Sequence, residues 1–377
     1  MYRDDGEGAL AGRALVVQPI DLDVMVSGKG GPPIRGLRAG IAPAAKSMLL
    51  RLGGYAAFRH LVPSRGVAIL RYHAVCGAEG AAYCDPGICI SPDSFEAHVR
   101  YLAANYAVLP LPEVVARLRA SRPLPPNAVA ITFDDGYVDN LAAARTLSRH
   151  GLTATFFITA GCVGGGEPFW LAELRTLLSA IREPAVHLSA DGASLTIELG
   201  TLEKTRKAVR ALTTVIKAHP IAVRESLRDQ LRQAARNPTT PRCILNWDEL
   251  AEMQRLGMTI GAHTLTHPNL PKALVADAYR EIKESRQCLE HELGVAVTLF
   301  AYPNGGAERY MTPAIAGMVR DAGYEGAATS RNAFAGSGSD LFALERIQVR
   351  ERLEDLIFAL EVERLVLKPT PRPGELD

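Results

Sequence analysis

The sequence predicts an α/β fold built on a parallel sheet, either open or closed into a barrel. Short apolar segments recur along the chain, and most are followed by a longer segment whose apolar residues have helical spacing. This alternation of buried strand and amphipathic helix is typical of parallel βα units. With 377 residues, 47% of them hydrophobic, the chain is long enough to bury a large core.

The elements can be assigned in order along the chain. The first strand covers residues 67–70 and runs on to His73, after which Ser91 and Pro92 are the N-cap and first residue of a helix. Further strands are predicted at residues 106–109, 128–133, 153–159, 258–261, 297–301 and 324–329. Further helices are predicted at residues 113–118, 138–149, 275–293 and 313–321, with Gly151 and Gly294 closing two of them.

One long segment interrupts the alternation. Residues 164–241 are charged and carry two apolar stripes at helical spacing, so we predict a mainly helical insertion packed on the main body. The remaining divisions are a flexible N-terminal segment (1–36), an N-terminal helical segment (37–65), the main body (66–350), and a C-terminal helix and tail (351–377).

Charge and hydropathy narrow the functional classes. The 42 basic and 41 acidic residues leave a net charge of +1, which gives no reason to propose nucleic acid or a polyanionic partner. No obligate protein partner is inferred from the sequence. The first residues contain no apolar core of a secretory signal, and no run reaches the ~18 apolar residues of a membrane span. We therefore expect a soluble cytoplasmic protein. Export by another route, and peripheral membrane contact through an amphipathic helix at 41–57, stay open as alternatives.

Two adjacent acids follow the strand at 128–133. Asp134 and Asp135 come directly after this strand and are followed by Gly136. Neighbouring carboxylates at a half-desolvated strand end repel each other, and a bound cation would remove that cost while one acid remains free as a base. An Asp-Gly turn capped by its own side chains is the alternative explanation.

Two histidines follow the strand at 258–261. His263 and His267 are four residues apart, so both imidazoles can reach one ion, and two imidazoles with one carboxylate make a typical catalytic zinc or iron site. Two ordinary surface histidines are the alternative. Because the acids and the histidines both follow strands of one parallel pattern, both sets should emerge on the same face. This agreement favours a metal site.

Five motifs in order resemble those of the polysaccharide deacetylase family (NodB-homology, carbohydrate esterase family 4). The segment 132–136 (T-F-D-D-G) resembles the first family motif, and 263–267 (H-T-L-T-H) resembles the second. The segment 300–305 (F-A-Y-P-N-G) looks like the third, while 72–75 (Y-H-A-V) and 247–250 (W-D-E-L) are similar to two others. The resemblance spans residues 66 to 350. It implies a distorted (β/α)7-type barrel, to which the helical insertion and the N-terminal extension predicted above are additions.

The resemblance also implies an activity and a set of roles. It implies a hydrolase that removes N-acetyl groups from an N-acetylated sugar, a polysaccharide or a lipid-linked glycan, so the expected partner is a carbohydrate or glycolipid substrate. Asp135, His263 and His267 would bind a divalent metal ion, usually zinc and sometimes cobalt or nickel. Asp134 would be the general base, a role that fits amide hydrolysis assisted by a Lewis acid. We expect a backbone N–H near Tyr302 and Pro303 to help bind the oxyanion.

The sequence departs from the family pattern in two places. Many members have an arginine before the Tyr-Pro of the third motif, where this chain has Ala301, and many have a late histidine, which residues 344–349 lack. In a closed barrel the first and last strands are neighbours. We therefore hypothesise that His73 supplies the proton to the leaving amine and that Arg346 orients Asp134. A satisfied core histidine and a plain surface salt bridge are the respective alternatives.

Other functional interpretations stay open from the sequence alone. A metal-dependent amidase or O-acetyl esterase of another small substrate would keep the same fold and metal. A non-catalytic carbohydrate-binding relative would keep the barrel alone, although the retained acids and histidines argue against it. Trp247 is either a packing residue at the barrel mouth or a platform for a sugar ring.

Overall fold

The computed structural model describes residues 46, 48, 54–304, 310–365 and 367. The flexible segment expected at residues 1–36, most of the amphipathic stretch 41–57, Gly305 of the third motif and most of the C-terminal tail lie outside these ranges. Within them, no helix is both long enough and apolar enough to cross a membrane.

The described ranges contain the following strands and helices. The strands are β1 (Val67–Tyr72), β2 (Ala74–Val75), β3 (Cys89–Ile90), β4 (Ala107–Val108), β5 (Ala128–Phe133), β6 (Thr155–Ile158), β7 (Ala185–Ala190), β8 (Ala193–Glu198), β9 (Thr259–Ala262), β10 (Leu299–Ala301), β11 (Gly326–Ala328) and β12 (Ile347–Gln348). The helices are α1 (Gly54–Leu61), α2 (Pro92–Asn105), α3 (Leu111–Arg119), α4 (Asn140–Arg149), α5 (Trp170–Ala180), α6 (Leu202–Ala218), α7 (Ile221–Ala234), α8 (Trp247–Arg255), α9 (Val275–Leu293), α10 (Pro313–Asp321) and α11 (Leu353–Glu361).

The main sheet curls into a barrel of parallel strands. Its order is β11-β10-β9-β6-β5-β1-β12, and the short strand β4 also pairs with β5. Strand β12 lies beside β1, with Leu70 opposite Ile347, while Leu344 forms a parallel bridge to Ala328 of β11. The segment from Leu344 to β12 therefore joins the two edges of the sheet. The predicted barrel is confirmed, and the first and last strands are neighbours as expected.

The barrel strands have apolar side chains on both faces, which explains their continuous hydrophobic runs. Val67 and Ile69 of β1 belong to one buried cluster with Phe157 and Leu299, drawn from strands around the barrel. The alternate residues of β1, such as Tyr72, belong to the larger cluster that packs under the surrounding helices. Side chains just beyond the ends of these strands are consequently directed into a confined space at one end of the barrel.

Local signals set the helix boundaries. Ser91 caps α2 by accepting a hydrogen bond from the Ser94 backbone N–H, and Pro92 is its first residue, as predicted. Gly294 ends α9 in the left-handed region with φ of 67°, a conformation that glycine adopts without steric cost.

The insertion has a core of its own and is not entirely helical. Helices α5, α6 and α7 pack around a buried cluster that includes Leu177, Leu212 and Leu227. Between α5 and α6 lies the antiparallel hairpin β7–β8, which the prediction of helical stripes did not include. Asp191 and Gly192 form its two-residue turn with φ of 50° and 78°, the left-handed geometry that Asp-Gly favours in tight hairpins.

Candidate metal centre and active site

The candidate site lies at the carboxyl ends of neighbouring parallel strands. His73 follows β1, Asp134 and Asp135 follow β5, and His263 follows β9. Arg346 comes immediately before β12, which pairs with β1. Because parallel strands all end on one side of the sheet, the topology brings together residues that are up to 273 positions apart in sequence (73 to 346).

Asp135 lies between two histidines. Its Oδ1 atom is 3.4 Å from Nε2 of His263 and 3.3 Å from Nε2 of His267, and one ligand atom from each residue lies within 4.8 Å of the others. All three side chains are buried. His263 donates its Nδ1 hydrogen to the Ala301 carbonyl oxygen at 2.7 Å, which would leave Nε2 as the lone-pair nitrogen facing Asp135. A carboxylate oxygen and two imidazole nitrogens converging in this way fit a divalent metal ion.

The electrostatics of the triad favour an ionised Asp135 and a neutral His267. Burial by itself would raise the pKa of Asp135, but the facing imidazoles of His263 and His267 hold that pKa well below its usual range. Burial lowers the pKa of His267. These are the protonation states in which a carboxylate and an imidazole bind a metal ion.

Asp134 is held by a buried arginine. Arg346 is fully buried and donates from Nη1 to Asp134 Oδ1 at 2.6 Å and from Nη2 to Oδ2 at 2.7 Å. The guanidinium also donates from Nε to the Thr329 carbonyl oxygen at 2.7 Å and from Nη1 to Thr132 Oγ1 at 3.2 Å. Burial would raise the pKa of Asp134, but the charge and hydrogen bonds of Arg346 bring it down to about 2. Asp134 is therefore an ionised carboxylate fixed in orientation next to Asp135.

His73 and Asp134 lie side by side, just beyond the ends of the paired strands β1 and β5. Its Nε2 atom is 3.9 Å from Asp134 Oδ2, and its Nδ1 atom is buried without a hydrogen-bond partner among the described residues. Burial lowers the pKa of His73 to about 4, although both Asp134 and Asp135 act in the opposite direction. The neutral ring is thus within reach of the same region as the acid pair.

The loop that carries His267 is fixed from two sides. On the barrel side, Glu281 of α9 accepts hydrogen bonds from the backbone N–H groups of Leu265 and Thr266, both at 2.8 Å. On the insertion side, Arg224 of α7 donates to the Thr266 carbonyl oxygen at 2.9 Å and to its hydroxyl at 2.8 Å. Trp170 of α5 donates from Nε1 to the His267 carbonyl oxygen at 3.1 Å.

The contacts of Glu281, Arg224 and Trp170 form a clamp that holds the loop in an unusual backbone conformation. Thr264 and His267 have φ of 67° and 57°, in the left-handed region that residues with side chains rarely adopt. The Thr264 hydroxyl accepts the backbone N–H of His267 at 2.9 Å. Arg224 and Glu281 could not be recognised as parts of the site from the sequence, because they are distant in the chain and belong to no motif.

Two expectations about the third motif need correction. The backbone N–H of Tyr302 donates to the Ala328 carbonyl oxygen at 3.1 Å, and the Tyr302 hydroxyl donates to the Phe342 carbonyl oxygen at 2.8 Å. Pro303 has no N–H. Neither residue can therefore supply a free backbone donor to an oxyanion. Next in the chain, Asn304 has a buried Nδ2 with no hydrogen-bond partner among the described residues, so its amide is the better donor candidate.

Trp247 begins helix α8 and packs against the start of the insertion. Gly164 has φ of 67°, and a Cβ atom added there would lie 2.8 Å from Cδ1 of the indole. The ring also packs against the main buried cluster. These contacts favour the packing role of Trp247 over the sugar platform.

The fold and the site together define a (β/α) barrel with a candidate metal triad at the carboxyl ends of its strands. Comparison with known proteins identifies the family. A family model described as "Polysaccharide deacetylase" matches residues 121–327, which is more than half of the chain. The chain therefore belongs to the polysaccharide deacetylase family.

Individual relatives are distant. YxkH of Bacillus subtilis (strain 168), whose name places it among the polysaccharide deacetylases, is 20% identical over 299 residues, covering 79% of this chain and 76% of the relative. Among solved structures, the Streptococcus pyogenes deacetylase PplD in complex with acetate is 19% identical with a TM-score of 0.52, covering 82% of this chain and 100% of that one. BC0361, a polysaccharide deacetylase from Bacillus cereus, is also 19% identical, with a TM-score of 0.51 and coverage of 79% and 69%. At this identity the structural likeness shows the fold.

Proposed function

We propose that this protein hydrolyses the acetamide of an N-acetylated sugar, as part of an oligosaccharide, polysaccharide or lipid-linked glycan, in a reaction that depends on a divalent metal ion. The observation that carries the proposal is the pairing of two acids with different surroundings. Asp135 faces two imidazole nitrogens, whereas the adjacent Asp134 is held by the guanidinium of Arg346. One acid is thus suited to bind a cation and the other to accept a proton.

Asp135, His263 and His267 would hold the ion, with zinc as the first choice because two imidazoles and one carboxylate with open positions suit it. Cobalt and nickel also suit this donor set. When bound, a divalent ion supplies Lewis acidity that polarises an amide carbonyl and makes a water molecule more acidic. The triad is buried and its loop is clamped, so the ligands would need little rearrangement.

Asp134 would act as the general base. Arg346 keeps the carboxylate ionised and fixes its plane, so that it can accept a proton from the attacking water, a role worth about 10²–10⁴ in rate. His73, which is neutral before the reaction, would receive the proton that Asp134 takes from the water and would then donate it to the leaving amine as the C–N bond breaks. Its Nε2 lies 3.9 Å from Asp134 Oδ2, which places an acceptor and a donor side by side.

A mass-spectrometric screen tests this function. The purified protein is incubated with a divalent metal and a panel of N-acetylated oligosaccharides, and each product is examined for the mass loss of one acetyl group together with release of acetate. We expect at least one substrate to lose an acetyl group and the Asp134→Asn variant to lose this activity. Wild-type protein that binds metal but releases no acetate from any N-acetylated glycan, while it hydrolyses O-acetyl esters, would contradict the proposal.

A further inference from the structure

Helix α6 of the insertion ends beside the candidate metal centre. Lys217 lies in its last turn, and the Lys217 carbonyl oxygen accepts a hydrogen bond from Asn269 Nδ2 at 2.6 Å. Asn269 comes two residues after His267. The end of α6 is therefore fastened to the same loop that carries a predicted metal ligand.

Lys217 lines a small recess of about 10 Å³ between the insertion and this loop. The recess is also lined by His219, Arg224, Trp170 and Asn269, and none of the described residues that line it is acidic. Most of the polar groups in it already have partners. Arg224 is bonded to Thr266 and to Glu225, and His219 Nδ1 lies 2.7 Å from the Val215 carbonyl oxygen.

The Lys217 ammonium group is different, because it has no hydrogen-bond or ion-pair partner among the residues that the structure describes. The acids whose charges act on it are Asp135 and Asp85. Asp135 faces its two histidines, and Asp85 is paired with Arg175 at 3.3 Å. A half-buried cation therefore lies beside the candidate centre, and no carboxylate in the described part of the chain is paired with it.

The other charged groups of the site add to the excess of positive charge around Lys217. Asp134 is already matched by Arg346, and among the described residues the buried Arg71 has only the neutral amide of Gln348 as its side-chain hydrogen-bond partner. A divalent ion on the triad would add further positive charge. A half-desolvated ammonium group in such a field is costly unless an anion approaches it, and the cost favours ligands that bring one.

We propose that Lys217 forms an anion-binding subsite that selects the substrate: an N-acetylated sugar carrying a carboxylate or a phosphate close to the acetamido group. This inference rests on the proposed function, and it assigns the insertion a role in specificity. An exposed lysine on the same helix provides a matched control, because Lys207 pairs with Glu203 at 2.8 Å and both side chains are largely exposed.

Three trisaccharides that differ only beside the reactive acetamido sugar test the inference: one neutral, one with a carboxylate and one with a phosphate. Acetate release is measured for the wild type, Lys217→Met, Lys217→Arg and the control Lys207→Met. Binding of each trisaccharide to the metal-free proteins is measured by calorimetry, which does not depend on turnover.

We expect the wild type to prefer one anionic substrate by about 10- to 100-fold in kcat/KM, the range for a hydrogen bond to a charged group. Lys217→Met should abolish this preference through KM, Lys217→Arg should retain most of it, and Lys207→Met should not change it. The anionic substrate with the larger loss identifies the group as phosphate or carboxylate.

Equal use of all three substrates by the wild type, or an unchanged preference in Lys217→Met, would overturn the inference and leave the deacetylase function intact. If no protein releases acetate, the proposed function fails. The calorimetric comparison then still decides whether Lys217 binds the anion, since a subsite requires weaker binding of an anionic trisaccharide by Lys217→Met.

Discussion

Replacing Arg346 by methionine should be severely destabilising. The guanidinium is fully buried and makes four hydrogen bonds, two of them to Asp134 at 2.6 and 2.7 Å. Methionine fills a similar volume but leaves the Asp134 carboxylate buried without its counter-charge. Removing one partner of a buried ion pair costs about 3–5 kcal/mol, so we expect the free energy of unfolding of metal-free protein at pH 7 to fall by that amount.

The loss should depend on the charge of Asp134. Burial raises the pKa of Asp134, and Arg346 is the main group that lowers it. Without Arg346 this pKa would rise, so the carboxyl would become protonated at mildly acidic pH. The wild-type ion pair contributes stability above the unfolded-state pKa of about 4 and loses it as the pH falls towards about 2. In Arg346→Met, lowering the pH protonates Asp134 and removes its uncompensated charge, so the variant becomes more stable. The stability difference between the two proteins should therefore shrink as the pH is lowered from 7 to 4.

Urea unfolding of four proteins provides the assay: wild type, Arg346→Met, Asp134→Asn and the double variant. The double variant should be more stable than the sum of the single losses predicts, by about 2 kcal/mol or more, because no uncompensated charge remains. Arg145→Met is the control, since Arg145 makes the same two-bond contact with Glu252 at 2.7 and 3.0 Å but on the surface. Equal losses of stability in the Arg145 and Arg346 variants, or additive losses in the double variant, would show that Arg346 does not balance a buried charge on Asp134.

Three further predictions follow from other contacts. Arg224→Gln should weaken zinc binding about 10- to 100-fold by calorimetry, because the substitution removes the hydrogen bonds that hold the His267 loop. The control Arg232→Gln, on the same helix, should not change the affinity, since Arg232 bonds to Glu173; equal affinities of the two variants would show that the contacts of Arg224 do not support the metal site. His73→Gln should lower kcat about 10²–10⁴-fold with little change in KM or metal affinity, and full turnover would end its assignment as proton donor. His98 is buried, and desolvation lowers its pKa to about 4, so below about pH 6.5 the unfolded chain takes up a proton at this residue that the folded chain does not. The wild type should therefore lose about 2 kcal/mol of stability between pH 7 and 5. His98→Gln should lose that part of the pH dependence in urea unfolding, and an unchanged pH profile in the variant would contradict the prediction.

The parts of the site that the sequence predicts are those encoded next to a strand end. Asp134, Asp135 and His263 directly follow buried strands, and parallel pairing is enough to bring their ends together. His73 and Arg346 could also be placed side by side from closure of the barrel, although their roles remain proposals. In each case a local apolar pattern and one topological rule carry the prediction.

The parts that the sequence could not predict depend on register or on distant packing. The N–H of Tyr302 is taken up by Ala328, a pairing that follows from the register of β10 and β11 and not from the motif. Arg224 and Trp170 reach the His267 loop only because the insertion packs beside it. The hairpin β7–β8 was missed because helical spacing was followed through the insertion, although Asp191-Gly192 is a strong turn signal.

Calorimetric titration of the metal-free protein with zinc tests whether Asp135, His263 and His267 form a metal site. We expect the wild type to bind one ion per chain, and Asp135→Asn, His263→Gln and His267→Gln to lose that site. Asp134→Asn should still bind one ion while its acetate release is abolished. Stoichiometric zinc binding that survives all three ligand substitutions, or full acetate release by metal-free protein, would contradict a metal-dependent site at these residues.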